Sequence, residues 1–294
     1  MKIAFKVKNL KFQFLLNRVD RVNNLTVFNY HQIGKNFNAA EQSAGTFTES
    51  NFFEEQMIWL KNNYNIVKLH DGLKAMDDNS LQGQSVAITF DDGDKSNIEA
   101  MKILQRHNIP ATFFINSGYL DNKNAYWYNI YNYIKHSSKC KHLLTSEIEE
   151  NVKLLRNTND NEFYKTYSKK VESVFEEIKD DFNLYLSLND IEQMDSSLFD
   201  IGLHGYEHQR FSMMSTEWQR KNLEKDIRVL SHLKNYKPIF AVPFGRSGDW
   251  NKETIKIALD LGLDIVFADE GVNYHRDVGC KRIPADFRKL KDLM

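Results

Sequence analysis

The chain has 294 residues, with 39 lysines and arginines against 40 aspartates and glutamates, so its formal net charge at pH 7 is −1. This balance excludes a broadly cationic protein that binds nucleic acid nonspecifically, because such proteins carry a net positive surface. Hydrophobic residues make up 41% and charged residues 27%, which is the composition of a globular protein and not of a disordered chain. We expect no nucleic-acid partner.

The beginning of the sequence contains no apolar run that would form a secretory signal. Lysines interrupt every apolar stretch between Met1 and Lys11, so the apolar core of a signal peptide is missing. No apolar run reaches the roughly eighteen residues that a membrane span needs. The two cysteines, Cys140 and Cys280, form no CxxC motif and fit a reducing compartment. We therefore expect a cytoplasmic protein without a transmembrane segment.

Short apolar runs rich in β-branched and aromatic residues predict a series of strands. Runs of this kind suit strands that are buried on both faces, as in a parallel sheet. The predicted strands are residues 25–30, 86–90, 111–115, 199–203, 239–242 and 263–268.

Amphipathic segments between these strands predict helices. Residues 51–64 place Phe53, Met57 and Leu60 on one face, and Gly262 is suited to end a helix that precedes it. The alternation of strand and helix predicts an α/β fold with a parallel sheet or barrel.

Residues from about 118 to 196 interrupt this alternation. The segment is rich in tyrosine and lysine and its pattern is mostly helical, so we interpret it as a helical insertion within one domain that spans residues 1–294. Five of its apolar residues have the spacing of one buried helical stripe: Phe163, Val171, Val174, Phe175 and Ile178.

Two adjacent carboxylates follow the predicted strand 86–90. Asp91 and Asp92 are costly side by side unless a cation or a proton lies between them, and Gly93 allows the tight turn that would bring both to the mouth of a sheet. A solvated Asp-Asp-Gly turn has the same sequence, and this motif alone does not distinguish the two interpretations.

Two histidines follow the predicted strand 199–203. His204 and His208 are four residues apart, and on a helical turn this spacing places both on one face, where they can chelate a metal. With Asp92 they form a two-histidine, one-carboxylate set that leaves positions open for water and substrate. Two unrelated surface histidines would have the same spacing. Non-haem Fe(II) oxygenases use the same trio, but the strand–helix alternation does not favour their all-β fold.

In combination, the motifs resemble the polysaccharide deacetylase family, also called the NodB-homology or carbohydrate esterase family 4 group. The order of the motifs along the chain carries the resemblance. The matching segments are Thr89-Phe90-Asp91-Asp92-Gly93, Ala111-Thr112-Phe113-Phe114-Ile115, the His204/His208 pair and Val242-Pro243-Phe244-Gly245.

The resemblance implies a distorted (β/α)7-type barrel and a hydrolase that removes an N-acetyl group, less often an N-formyl or O-acetyl group, from a sugar. It implies a divalent metal, Zn²⁺ first and Co²⁺ or Ni²⁺ as alternatives. Carried over to this sequence, Asp91 is the general base, and Asp92, His204 and His208 bind the metal. The backbone N–H of Phe244 helps to form the oxyanion hole. The implied partner is an N-acylated sugar or glycan, free or linked to a nucleotide or lipid.

The sequence departs from the family pattern at two places. Many members carry an arginine that orients the base where this chain has Ala241, and Arg282 is our candidate replacement. Many members also end with a histidine that acts as general acid, which this chain lacks. Instead, Tyr30-His31 ends the first predicted strand, and the sequence Phe28-Asn29-Tyr30-His31 resembles the N-terminal Tyr-His of a permuted branch that includes biofilm poly-N-acetylglucosamine deacetylases. We expect His31 to be the acid, with His275 as the alternative.

Two further questions stay open at this stage. The missing arginine leaves a barrel that binds glycan without turnover as an alternative function. The aromatic residues of the insertion either stack on a sugar or pack the insertion onto the barrel, and we favour packing for most of them. These residues are Tyr126, Trp127, Tyr128 and Tyr131.

Overall fold

The computed structural model describes residues 23–35, 46–157, 161–275 and 278–286. Residues 1–11, on which the expectation about a signal peptide depended, lie outside these ranges. Among the described residues, no helix combines the length and the apolar character needed to cross a bilayer.

The strands of the described residues are short. They are β1 (Asn24–Tyr30), β2 (Gln32–Gly34), β3 (Phe47–Glu49), β4 (Asn65–Ile66), β5 (Gln84–Phe90), β6 (Ala111–Ile115), β7 (Phe199–Leu203), β8 (Tyr236–Ala241), β9 (Asp264–Phe267), β10 (Cys280–Lys281) and β11 (Ile283–Pro284). The six predicted strands correspond to β1 and to β5 through β9. The sequence analysis missed the remaining strands because each has only two or three residues, which is too short to show a periodic pattern.

Helices connect most of these strands. They are α1 (Ser50–Asn63), α2 (Leu69–Asp77), α3 (Asn97–Arg106), α4 (Trp127–His136), α5 (Ser146–Asn157), α6 (Asn161–Glu172), α7 (Phe175–Ile178), α8 (Leu188–Glu192), α9 (Thr216–Leu230) and α10 (Lys252–Asp260), with short 3-10 turns at Ser117–Asn122, Lys141–Leu143 and Phe211–Met213. Phe53, Met57 and Leu60 are buried, as predicted.

The main sheet is a nearly closed parallel barrel. Its strand order is β10-β9-β8-β7-β6-β5-β1-β11, and β4 adds to β5 outside this path. The two ends of the order, β10 and β11, belong to one segment, residues 280–284. This segment pairs with β9 on one side and with β1 on the other, so the last described stretch of the chain closes the barrel. Counted once, it is the seventh strand, and the predicted (β/α)7-type barrel is confirmed.

Side chains alternate between the two faces of each strand. On the outer face, Phe90 and Phe113 belong to the large core that the strands share with α1 and α3. On the inner face, Ala87 and Phe114 belong to a second cluster with residues of β8 and β9. Among the described residues, the barrel interior is therefore filled with side chains.

The segment between β6 and β7 is helical, as predicted, and has an apolar core of its own. The prediction of one continuous stripe there is wrong, because α6 ends at Glu172 and α7 begins at Phe175. Val171, Phe175 and Ile178 are buried, whereas the side chains of the other two residues are half-buried. The assignment of residues 1–294 to a single domain stays a prediction.

The outer core makes a stability prediction. The ring of Phe113 is fully buried, stacks on Phe90 at 4.7 Å and meets Phe199 edge-on at 5.5 Å. We expect Phe113→Ala to lower the free energy of unfolding by about 3–5 kcal/mol in urea denaturation, because it leaves a cavity in a packed core. Leu259→Ala is the control: Leu259 is 54% exposed, and the change should stay within about 0.5 kcal/mol. Equal losses in the two variants would contradict this account of the core.

Candidate active site

The carboxyl ends of the barrel strands surround a cavity of about 520 Å³. This is the end at which α/β barrels place their active sites, because the loops that follow the strands converge there. All but one of the predicted site residues line the cavity, and the exception, Arg282, is fully buried behind it. The predicted site residues that line the cavity are His31, Asp91, Asp92, His204, His208 and Phe244.

Asp92, His204 and His208 form a compact cluster of potential metal ligands. The Nε2 atoms of His204 and His208 each lie 3.3 Å from Oδ1 of Asp92. One ligand atom from each residue lies within 4.8 Å of the others. Two imidazoles and a carboxylate are a donor set that suits Zn²⁺ and leaves a coordination position open.

The local backbone differs from the helical turn expected for the histidine pair. Residues 204–208 form a loop, and Gly205 has a φ of +80° that allows the chain to turn back. Asp92 also has a left-handed φ of +74° and is followed by Gly93 at +63°. Aspartate tolerates the left-handed region better than most residues do, and in this conformation the Asp92 carboxylate faces both histidines.

The imidazole chemistry fits a metal. Nδ1 of His204 donates to the carbonyl oxygen of Ala241 at 2.8 Å, which turns Nε2 toward the cluster as the ligating atom. Burial lowers the pKa of His204, but the Asp91 and Asp92 carboxylates outweigh it and raise the pKa. Burial lowers the pKa of His208 to about 4, so this ring is neutral at pH 7, the form that binds a metal. The three residues therefore fit a divalent cation.

Asp91 lies beside this cluster, with its Oδ2 4.0 Å from Nε2 of His204. The Arg282 guanidinium donates two hydrogen bonds to the Asp91 carboxylate, from Nη1 to Oδ1 at 2.7 Å and from Nη2 to Oδ2 at 2.9 Å. The Asn29 amide donates to Asp91 Oδ2 at 3.0 Å and accepts from Arg282 at 3.0 Å. Burial raises the pKa of Asp91, but the charge and hydrogen bonds of Arg282, together with the charges of His204 and His31, outweigh it and hold the pKa below its usual value. Asp91 is therefore an ionised, oriented carboxylate.

His31 is held in the same cavity by Asp286. Its Nδ1 lies 2.9 Å from Asp286 Oδ2, and its backbone N–H donates to Asp286 Oδ1 at 3.1 Å. Burial lowers the pKa of His31, but Asp286 and the more distant Asp92 and Asp91 carboxylates raise it to about 9. The imidazole is therefore protonated at pH 7 and able to donate a proton.

Phe244 lies in the turn after β8, where it and Gly245 both have left-handed φ values of +60° and +66°. Its ring contacts His208 at a centroid distance of 4.7 Å, and the Arg210 guanidinium lies 5.7 Å from the ring centroid. Tyr126 of the insertion packs against His208 at 5.0 Å. The rings of Tyr126 and Phe244 also contact each other at a centroid distance of 6.2 Å, so the insertion and this turn together pack against His208.

Of the remaining sequence candidates, some line the cavity and others do not. His275, the alternative acid, is exposed and is not among the residues that line the cavity. Of the four aromatic residues of the insertion, Tyr126 and Tyr128 line the cavity, whereas Trp127 and Tyr131 are buried in the insertion's own core.

Sequence reasoning missed Asn29 and Asp286, the residues that hold Asp91 and His31. Their roles depend on strand register. Asn29 of β1 lies opposite Pro284 of β11 in a parallel pair, so His31 and Asp286, each two residues further along its own strand direction, lie next to each other. Only the spacing of Arg282 and Asp286, which puts both on one side of an extended chain, is visible in the sequence.

Comparisons with known proteins agree with this geometry. The family model of polysaccharide deacetylases matches residues 78–266. The chain belongs to the polysaccharide deacetylase family. Family membership supports a hydrolytic deacetylase. Among curated proteins, none matches this chain.

Several solved structures have the same fold. IcaB from Ammonifex degensii aligns with a TM-score of 0.62 and 17% identity, over 93% of this chain and 96% of IcaB. A de-N-acetylase from Aggregatibacter actinomycetemcomitans aligns with a TM-score of 0.62 and 16% identity, over 92% of this chain and 100% of that one. A Bacillus anthracis protein matches with a TM-score of 0.60 and 16% identity over 90% of this chain, which spans 65% of that protein's length. At these identities the likeness concerns the fold.

The buried ion pair makes a prediction with a pH dependence. Arg282→Met leaves the Asp91 carboxylate buried without its cation, and we expect a loss of about 3–5 kcal/mol in the free energy of unfolding at pH 7. In the wild type the lowered pKa of Asp91 gives stability that is lost as the pH falls. In the variant the main cause that lowers this pKa is gone, so we expect burial to raise the pKa above its unfolded value and the variant to gain stability as the pH falls. The difference in the free energy of unfolding between the wild type and Arg282→Met should therefore become smaller as the pH falls from 7 to about 4.

The control for this prediction is Arg220→Met. Arg220 pairs with Asp260 on the surface at 3.0 Å, and exposed pairs contribute about 0–1 kcal/mol. Urea denaturation of both variants across this pH range measures the difference. If the loss in the free energy of unfolding in Arg282→Met were the same at every pH, the ion pair between Arg282 and Asp91 would not be its cause.

Proposed function

We propose that this chain is a metal-dependent hydrolase that removes the N-acetyl group from an amino sugar in a glycan. One observation carries the proposal. A metal-competent trio, an arginine-held carboxylate and a carboxylate-held histidine line one cavity. Hydrolysis of an amide requires an activated water, a polarised carbonyl and a proton for the leaving amine, and the cavity offers residues for each.

Asp92, His204 and His208 would hold the metal. A divalent ion bound there would act as a Lewis acid, lowering the pKa of a water molecule and polarising the acyl carbonyl. Zn²⁺ is the ion that best matches two imidazoles and one carboxylate, with Co²⁺ or Ni²⁺ as alternatives.

Asp91 would act as the general base that takes a proton from the attacking water. Arg282 keeps Asp91 ionised and fixes the direction of its carboxylate. Asn29 fills another hydrogen-bonding position of the same carboxylate. A base that is oriented before substrate binds loses little entropy during the reaction.

His31 would protonate the amine as it leaves. Asp286 holds the ring through Nδ1, which leaves Nε2 as the atom available to the substrate. The N–H of Phe244 would donate a hydrogen bond to the oxygen that becomes negative when the carbonyl is attacked, and such donors stabilise the transition state directly.

An amino sugar as substrate is supported by the family and by the walls of the cavity. Tyr126 and Tyr128 present aromatic surface and Asn129 an amide at one side of the cavity, and sugars are bound by a combination of apolar contact and placed hydrogen bonds. The Aggregatibacter relative is described as a de-N-acetylase, which favours N-acetyl over O-acetyl removal.

Two observations favour the hydrolase over the alternatives. The glycan-binding barrel without turnover depended on the missing arginine, but Arg282 supplies the contact to Asp91 that Ala241 cannot. The oxygenase alternative depended on the ligand trio alone, and this trio lies on a parallel α/β barrel.

Metal content and acetate release test the proposal together. We expect about one Zn²⁺, Co²⁺ or Ni²⁺ per chain by elemental analysis of the loaded wild type, and loss of that metal in the double variant Asp92→Ala, His204→Ala. Acetate release from N-acetylated glucosamine oligosaccharides should fall by at least about 10²-fold in Asp91→Asn, because the base is removed. This variant keeps the metal ligands and is the matched control for metal content. A wild type that binds no divalent metal after loading would contradict the proposal.

The role of His31 predicts a pH profile. The acid must be protonated to act. We therefore expect kcat/KM to fall as the pH rises through the pKa of His31, which is raised from the usual 6.5 to about 9. Asp286→Asn removes the charge that raises this pKa and should move the alkaline limb to lower pH by about one unit or more. Asp260→Asn, on the surface in a pair with Arg220, should leave the limb in place. If Asp286→Asn also leaves it in place, His31 is not the acid.

A further inference from the structure

One matching motif has no role in the mechanism so far. The strand β6, Ala111-Thr112-Phe113-Phe114-Ile115, contributes no residue to the metal trio, the base or the acid. The residues that follow it, 116–119, lie against the loop 204–208 that carries both histidines. We call residues 116–119 the β6 clamp and residues 204–208 the histidine loop.

Asn116 binds the first half of the histidine loop. Its side-chain amide donates to the carbonyl oxygens of His204 at 2.6 Å and of Gly205 at 2.9 Å. Asn116 is 2% exposed, so water does not compete for these bonds. Both amide hydrogens are used on the peptide units that follow the first metal ligand.

Gly118 and Tyr119 bind the second half of the loop. The backbone N–H of Gly118 donates to the carbonyl of Tyr206 at 2.9 Å, and a Cβ atom at position 118 would collide with that same oxygen. The backbone N–H of His208 donates to the Tyr119 hydroxyl at 3.1 Å. Residues of the clamp therefore hold the loop from the first histidine to the second.

The histidine loop needs such support because it lacks the hydrogen bonds of a helix. Asn222 of α9 accepts from the N–H of Tyr206 at 2.9 Å on the other side, but it reaches neither histidine. A metal-ligating histidine normally has its second ring nitrogen fixed by a hydrogen bond. His204 has this bond, whereas Nδ1 of His208 finds no partner in the described part of the chain. The position of His208 therefore depends on its backbone and on aromatic packing.

We propose that Asn116 and Tyr119 are positioning residues that set the separation of His204 and His208 and thereby the metal affinity of the site. The inference rests on the proposed function, because it takes the trio as a divalent-metal site. It also gives β6 a role: the strand delivers the clamp to the histidine loop, and the insertion begins at the same point.

A Co²⁺ titration of the 294-residue chain tests this inference. Co²⁺ reports both affinity and coordination through its visible absorption. We expect Asn116→Ala to raise the dissociation constant for Co²⁺ by about 10- to 100-fold, the effect of losing a residue that orients a ligand. Tyr119→Phe keeps the ring but removes the acceptor for the His208 N–H, and we expect a rise of about 3- to 10-fold. At saturating Co²⁺, the absorption spectrum of both variants should differ from that of the wild type.

Asn235→Ala is the matched control. Asn235 is also a buried asparagine whose amide donates to a backbone carbonyl at the opposite end of β7, that of Phe199 at 3.2 Å. Its removal should lower the melting temperature but leave the Co²⁺ dissociation constant and spectrum as in the wild type. This separates a loss of metal-site geometry from a general loss of stability.

The outcomes are distinct. Dissociation constants within twofold of the wild type for both clamp variants, or an equal rise in Asn235→Ala, would overturn the inference while the proposed function stands. If Asn116→Ala does not fold, Tyr119→Phe decides by the same criteria. A wild type that binds no Co²⁺ would overturn the proposed metal site and this inference with it.

Discussion

The ion pair between Arg282 and Asp91 joins the closure of the barrel to its chemistry. A guanidinium inside a protein is tolerated only where its charge is matched and its donors are satisfied. Here Nη1 and Nη2 bind Asp91, and Nε donates to the carbonyl of Phe267 at 3.2 Å. Arg282 is the central residue of the segment 280–284 that connects β9 to β1. The barrel therefore closes around the pair that orients the proposed base.

The two adjacent carboxylates of the Asp-Asp-Gly turn have different surroundings. The side chain of Asp91 is 5% exposed and is held by an arginine, whereas the side chain of Asp92 is 34% exposed and faces two histidines. The left-handed conformation of Asp92 directs the two side chains to different partners. A protein that needs an ionised base beside a metal-binding carboxylate must keep their like charges compensated separately, and this turn does so.

The insertion between β6 and β7 is part of the site. Its first turn holds the histidine loop, and Tyr126 packs on His208. The same segment has a core of its own, which includes Met213 and Met214 from the stretch that follows the histidine loop. The insertion therefore contacts both the histidine loop itself and the stretch of chain that follows it.

The sequence by itself determined the barrel class and the strands β1 and β5 through β9, and it predicted the three residues of the proposed metal site. It did so because apolar runs and short polar motifs are local patterns, and because the order of those motifs matches a family. It also gave Arg282 and His31 as candidates, although periodicity alone supported neither.

Only the tertiary structure decided how these residues are held. Asp286 meets His31 through the register of β11 on β1, and Asn29 meets Asp91 through the register of β1 on β5. Such register is set by pairing between segments up to 255 residues apart, which no local pattern encodes. The histidine spacing predicted a helical turn, but the loop is shaped by contacts from β6 and α9. Those contacts exist only once the barrel has formed.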